Sequence, residues 1–185
     1  MTTSTSGAAP SLRVTVWRRL KGLGALYLQQ SVCLLPERSQ VSGALAGLRE
    51  RVLADGGTMR ILPVRVAEAD HQGLVTELNA ARDEEYAEVL ERLPSLLDEL
   101  AHERARGRLT FEELEENEVD LARFRSWANR IQARDYFGSP LRTRVEAELT
   151  AAAEALVAFE DAAARAAGAE PVDRPARLRA VQDRR

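Results

Sequence analysis

Residues 107–131 have the sequence GRLTFEELEENEVDLARFRSWANRI, and this stretch carries the clearest structural signal in the chain. Thr110 followed by Glu113 forms a capping box, which predicts a helix start because each side chain can bond a free backbone N–H of the first turn. Gly107 is predicted to end the preceding helix, and Gly138 to end this one. Between them, apolar residues recur at helical spacing: Phe111, Leu114, Leu121, Phe124, Trp127 and Ile131.

A helix is also predicted on the N-terminal side of this stretch. Apolar residues from Leu74 to Leu93 recur at helical spacing. Pro94 follows them, and it either kinks this helix or begins the next one, which runs to about Arg106.

The last predicted helix begins at Ser139 and Pro140, because serine is a favoured N-cap and proline suits the first helical position. We expect the helices of residues 70–168 to pack as a long hairpin or a small bundle. Residues 169–185 contain two prolines and several arginines, and are predicted to form a flexible tail.

The first part of the chain predicts strands as well as helices. Residues 12–69 contain a short amphipathic helix, a strand hairpin over residues 25–35, a second helix, and a strand at Thr58–Val66. Pro63 favours an edge position for that last strand, since proline cannot donate to a sheet ladder. Residues 1–11 are small and polar and are predicted to be flexible. The predicted fold class is therefore α+β and helix-rich.

The composition limits the class of protein. Apolar residues make up 45% of the chain and charged residues 30%, which is typical of a globular protein. No apolar run is long enough to predict a membrane span, and the N-terminus lacks the pattern of a secretory signal, which favours a cytoplasmic location. Cys33 is the one cysteine, which excludes an intrachain disulfide and a cysteine-based zinc site, and we expect no cofactor.

Charge is spread unevenly along the chain. Residues 1–60 carry eight Lys/Arg and three Asp/Glu, whereas residues 61–120 carry six and seventeen. The basic first third is consistent with binding of an anion or nucleic acid, and equally with an ordinary solvated surface.

No catalytic motif is present, and we predict neither enzyme activity nor a metal site. Two residue pairs have a spacing that can bind metal in helical bundles, although chance matches are expected in so Glu-rich a segment: Glu68 with His71, and Glu99 with His102. The acidic run over residues 112–120 is typical of a helix N-terminus, where the macrodipole favours acids, while Glu116 and Asp120 stay open as cation ligands.

The order of several motifs resembles the N-terminal domain of ChrB, the bacterial chromate-resistance regulatory protein family. The resemblance covers about residues 12–160, and it rests on five stretches: VWRRLKGLGA at 16–25, QSVCLLP at 30–36, ARDEEY at 81–86, GRLTFEELEENE at 107–118 and RIQARDYFG at 130–138.

The resemblance implies a cytoplasmic protein of transcription regulation in chromate resistance, which binds promoter DNA directly or through a partner. Four cations become candidate phosphate contacts that add salt-dependent affinity: Arg13, Arg18, Arg19 and Lys21. The helical part contains motif positions and also polar residues that interrupt the apolar stripes. We expect these residues to form a polar network that ties the helices together: Arg82, Asp83, Tyr86, Glu103, Glu116, Asn117, Asp120, Arg134 and Asp135.

The chain departs from the family pattern at both ends. Family members usually have an apolar strand before the first helix, which residues 1–10 cannot supply as a buried strand. The first part is therefore expected to be ferredoxin-like or winged-helix-like and to lack its first strand, which in a ferredoxin-like sheet would lie near the centre. Full-length members also have a second domain, so a separate C-terminal ChrB-type protein is an expected partner.

Two alternatives remain beside a DNA-binding regulator. One is a non-catalytic protein-interaction subunit of the same system, which forms a homo-oligomer. The other is a metal- or oxyanion-binding enzyme, which would need a metal or a redox cofactor.

Overall fold

The structure is a computed structural model that describes residues 2–4 and 10–168. It divides into two compact units. The first contains the described residues up to Ala80 together with Arg134–Phe137, and the second contains Ala81–Ala133 and the described residues from Gly138 onwards. The predicted tail, and residues 1 and 5–9 of the predicted flexible N-terminus, lie outside the described residues.

The first unit contains a four-stranded sheet and two helices in the order β-α-β-β-α-β. Across the sheet, the second strand of the chain is followed by the third, the first and the fourth, and every neighbouring pair is antiparallel, which is the ferredoxin-like arrangement. The ferredoxin-like alternative, and not the winged-helix-like one, therefore describes this unit. Its elements are β1 (Thr2–Ser4), α1 (Pro10–Gly22), β2 (Leu26–Gln29), β3 (Val32–Leu34), α2 (Ser39–Ala54) and β4 (Thr58–Arg60).

The expectation that this sheet lacks its first strand is wrong. β1 lies between β3 and β4, and Thr2 is opposite both Val32 and Arg60. A strand with neighbours on both sides satisfies its backbone N–H and C=O groups through pairing, so three polar residues suffice without an apolar alternation. The strands that pair with β1 come much later in the chain, so the local sequence of residues 2–4 does not predict this pairing.

The core of the first unit lies between the sheet and its helices. Leu12, Val16 and Leu20 recur every four residues on α1, so they share the face that is buried. β3 and β4 contribute Cys33 and Met59, one inward residue from each strand. The remaining buried apolar residues of this core come from α2: Val41, Leu45, Leu48 and Val52.

The strand predicted over Thr58–Val66 is shorter in the structure. β4 ends at Arg60, and residues 61–67 have no regular secondary structure. Pro63 lies in this stretch and has no N–H to donate to a ladder, which is consistent with the early end of the strand.

The second unit is a three-helix arrangement of α3 (Glu68–Ala105), α4 (Phe111–Gln132) and α5 (Leu141–Ala166), although the first turns of α3 belong to the first unit. α3 is one continuous helix with Pro94 inside it, so the alternative that a new helix begins at this proline is wrong. The three helices share one core, whose largest fully buried side chains are Tyr86, Leu93, Leu121, Ile131 and Phe159.

The starts of α4 and α5 confirm one prediction and correct two others. Thr110 Oγ1 accepts a hydrogen bond from the backbone N–H of Glu113 at 3.2 Å, so the predicted start of α4 is confirmed. Phe111, expected on the buried stripe, is 60% exposed. α5 begins at Leu141 with Pro140 as its N-cap, and the hydroxyl of Ser139, expected to cap this helix, donates to Asp83. The carboxylate of Asp83 supplies the missing acceptor.

Candidate nucleic-acid interface

Helix α1 carries four exposed cations on thirteen residues and contains no acidic side chain. Its three core positions lie on one face, which leaves the rest of the helix surface for charged residues. The candidate phosphate contacts are all exposed, as the sequence predicted: Arg13, Arg18, Arg19 and Lys21. Arginine can bond phosphate through two parallel N–H groups, and lysine acts as a point charge.

Trp17 lies among these cations and is 49% exposed. The Nζ atom of Lys21 is 5.3 Å from the centroid of its ring, a cation–π contact across one helical turn. Val14 is exposed one turn earlier on the same helix. Arg13 and Lys21 thus flank the exposed ring of Trp17. The name cationic face is used here for the exposed surface of α1 that carries the four cations: Arg13, Arg18, Arg19 and Lys21.

Sequence reasoning did not select Trp17 as a site residue. The available signal was its spacing, since Arg13, Trp17 and Lys21 are four residues apart and must lie on one side of a helix. An exposed aromatic ring between cations can stack on a base or pack against a sugar, which a purely cationic surface cannot do.

In the second unit, Asp83 joins α3 to the start of α5. Its Oδ1 atom accepts a hydrogen bond from the Ser139 hydroxyl and another from the backbone N–H of Leu141, at 3.0 Å for the latter. A carboxylate at a helix N-terminus is favoured by the macrodipole and satisfies an N–H that has no partner inside the helix. This contact links α3 to the start of α5.

A family model described as Protein ChrB, N-terminal, matches residues 13–170. This match spans most of the chain. The chain belongs to the ChrB N-terminal family. Neither the curated proteins nor the solved structures contain a match.

Membership in the ChrB N-terminal family associates this protein with chromate resistance. The matched region begins at Arg13 inside α1 and includes all of α4 and α5. It therefore includes every residue of the cationic face and both partners of the Asp83–Ser139 contact, while β1 precedes it.

The other members of the predicted polar network are distributed over this ChrB-type helical unit. Arg82 is buried and pairs with Glu85 on its own helix at 3.2 Å, and its Nε atom has no hydrogen-bond partner in the described part of the chain. Asn117 is buried and donates to the carbonyl of Glu113 at 2.7 Å. Tyr86 is a fully buried core residue.

Glu103 and Asp120 make ion pairs with nearby arginines. Glu103 lies 3.8 Å from Arg106 and 3.9 Å from Arg108, where α3 ends. Asp120 pairs with Arg123 at 2.7 Å. Glu116 is exposed, and Arg134 and Asp135 lie after α4 in the stretch that groups with the first unit.

The candidate metal pairs lie on the surface of α3. Glu68 and His71 are exposed in its first turn, and Glu99 and His102 are exposed near its end. Within residues 2–4 and 10–168, no three His, Cys, Asp or Glu side chains come together in a group that could hold a metal ion.

Burial changes the acidity of two groups in the first unit. It raises the pKa of the Cys33 thiol, and it raises the pKa of Tyr27, to which the neighbouring Cys33 adds. In the described part of the chain, no helix has the length and apolar character needed to cross a membrane.

Proposed function

We propose that this protein is a non-catalytic regulatory component of a chromate-resistance system and that it binds promoter DNA through α1. The observation that carries the proposal is the cationic face, where four exposed cations lie on one helix without a carboxylate. The duplex backbone carries one charge about every 1.7 Å, so a helix surface of this kind meets several phosphates at once.

The local charge balance supports α1 over the helical unit as the DNA-binding element. Residues 1–60 have a net charge of +5 and residues 61–120 of −11. A polyanion is attracted to the first of these regions and repelled by the second. Trp17 adds an apolar contact that does not depend on salt.

The test compares two variants that change the net charge equally. One replaces three residues of the cationic face, Arg18, Arg19 and Lys21, by Gln. The control replaces three exposed arginines of the second unit, Arg104, Arg144 and Arg165, by Gln. A fluorescent duplex from the promoter of the protein's own operon is titrated with each, and anisotropy is measured.

We expect the α1 variant to bind the duplex much more weakly than the control, which should bind like the wild type. Equal weakening in both variants would mean that only the overall charge matters. No salt-sensitive binding by the wild-type protein would remove direct DNA binding.

A second candidate function, a homo-oligomeric interaction subunit, is favoured by a different surface of the first unit. β4 is an edge strand of the sheet, and the residues after it expose large apolar side chains, Leu62 at 55% and Val64 at 63%. They border an apolar groove of about 280 Å³ between residues 34–45, 61–66 and the start of α3. The open edge of a strand beside exposed apolar residues is a common place for a second chain to pair.

The occupant in this second candidate is a second copy of the chain, paired through β4. We expect a dimer in size-exclusion chromatography with light scattering, and a monomer when Leu62 and Val64 are both replaced by Lys. A wild-type monomer at high concentration would contradict this candidate.

A further inference from the structure

A groove of about 450 Å³ lies between α3 and α4 in the second unit. Its lining includes no residue of the cationic face and neither Asp83 nor Ser139. Leu96 contributes buried apolar surface, and two half-buried aromatic residues, Phe124 and Trp127, line the side that α4 provides. Three arginines and two carboxylates also line it: Arg92, Arg123, Arg130, Glu99 and Asp120.

The aromatic pair offers a surface on which a planar ring can stack. The centroids of Phe124 and Trp127 are 6.4 Å apart and their planes differ by 22°, so the rings are close to parallel. They are one helical turn apart, and the bundle core holds α4 in place beneath them. An aromatic ligand would therefore meet a rigid, partly desolvated surface.

Arg92 differs from the other two arginines of the groove. Arg123 pairs with Asp120 at 2.7 Å, and Arg130 donates to the Ser126 hydroxyl at 3.0 Å. The guanidinium of Arg92 instead lies over the ring of Trp127, 5.3 Å from its centroid, and has no carboxylate partner among the described residues. Contact with the ring restrains the guanidinium while its N–H groups remain available to an anion.

These features together define the ligand. A neutral aromatic compound would leave the guanidinium of Arg92 without a counter-charge, and an inorganic anion would leave the rings uncovered. A polyanion is disfavoured because residues 81–133 carry eight arginines and fourteen acidic residues. We propose that this groove binds a small planar aromatic compound with one carboxylate or phosphate group, its ring against Phe124 and its anionic group on Arg92.

The test uses the fluorescence of Trp127. The chain has two tryptophans, so Trp17→Phe leaves Trp127 as the sole reporter. The probes are benzoate and adenosine monophosphate, which present an aromatic ring with a carboxylate or a phosphate. Adenosine supplies a ring without an anion, and inorganic phosphate an anion without a ring.

We expect a saturable change in Trp127 emission with benzoate or adenosine monophosphate. The probe that binds shows whether the groove takes a carboxylate or a phosphate. Adenosine and inorganic phosphate should bind at least about tenfold more weakly. Arg92→Gln and Phe124→Leu should each weaken binding by about tenfold or more, whereas Arg104→Gln, an exposed arginine on the same helix, should leave it unchanged.

Three results would overturn the proposal: no saturable change with either aromatic anion at millimolar concentration, inorganic phosphate binding as tightly as adenosine monophosphate, or unchanged binding by Arg92→Gln. Circular dichroism checks the fold of each variant. If Arg92→Gln unfolds, Arg92→Lys replaces it, since it keeps the charge and loses the paired N–H groups. The lysine variant should then show the same weakening, and unchanged binding by it would equally overturn the proposal.

Discussion

Replacing Asp83 by Ala removes the contact that caps α5. The Asp83 carboxylate accepts from the backbone N–H of Leu141 and from the Ser139 hydroxyl. Losing a helix N-cap costs about 0.5–2 kcal/mol. Ser139 is 4% exposed, so its hydroxyl also loses an acceptor where water cannot easily replace it, which costs about 1–3 kcal/mol. We expect Asp83→Ala to lower the free energy of unfolding by about 2–4 kcal/mol.

Three further variants separate the parts of this loss. Asp83→Asn keeps an oxygen acceptor and loses the charge that the helix dipole favours, so it should cost less than Asp83→Ala. Ser139→Ala removes the second donor, and its effect should be smaller in the Asp83→Ala background than in the wild type. Glu84→Ala changes an exposed neighbour on α3 and should be close to neutral.

The assay is urea unfolding followed by circular dichroism, with the midpoint and slope fitted for each variant. An Asp83→Ala loss as small as that of Glu84→Ala would refute the reasoning, because it would mean that the carboxylate does not hold the start of α5. Additive effects of Asp83→Ala and Ser139→Ala would show that the two side chains do not interact.

Further predictions concern single sites elsewhere. Gly57→Ala should destabilise the first unit by about 1–3 kcal/mol in thermal or urea unfolding, since a Cβ would lie 2.9 Å from Val52 Cγ1, and a neutral result would contradict this packing. Thr110→Ala should lower the free energy of unfolding by about 0.5–2 kcal/mol because the N–H of Glu113 loses its acceptor. Thr110→Ser keeps a hydroxyl acceptor and should retain most of the stability. Burial raises the pKa of the Cys33 thiol in the folded protein. The protonated thiol's contribution to the free energy of unfolding is therefore fully present below the ordinary thiol value of 9.0, and it is lost as pH rises through the folded-state pKa. The difference in free energy of unfolding between wild type and Cys33→Ala should therefore shrink above pH 9.0 in urea titrations. A constant difference would contradict this prediction.

The parts of the fold that local chemistry determines were predictable. Thr110 accepts a hydrogen bond from the backbone N–H of Glu113, three residues later, so the start of α4 followed from the sequence alone. The hairpin of β2 and β3 was also predictable, because its two strands are adjacent in the chain, and the structure pairs Leu26 with Leu34.

The parts that depend on distant contacts were not. β1 is a strand because β3 and β4 pair with it, and its residues carry no apolar pattern. Ser139 had the sequence of an N-cap, yet Asp83, 56 residues earlier, supplies the acceptor. Phe111 fits the helical period, but it stands in the first position of α4, where the stripe extends beyond the core.

The candidate site shows the same division. The cations of α1 were predictable because charged residues off an apolar stripe must face solvent. The groove between α3 and α4 was not, since Arg92 and Trp127 come from different helices and meet only after folding.

The measurement that most directly tests the proposed role of α1 is the dependence of promoter-DNA affinity on salt. Each phosphate contact adds about 0.9 to the slope of log affinity against log salt concentration. Replacing Arg18, Arg19 and Lys21 by Gln should therefore make this negative slope shallower by about 2.7. The control with Arg104, Arg144 and Arg165 replaced should keep the wild-type slope. A wild-type slope in the α1 variant would contradict the claim that this helix contacts the phosphates.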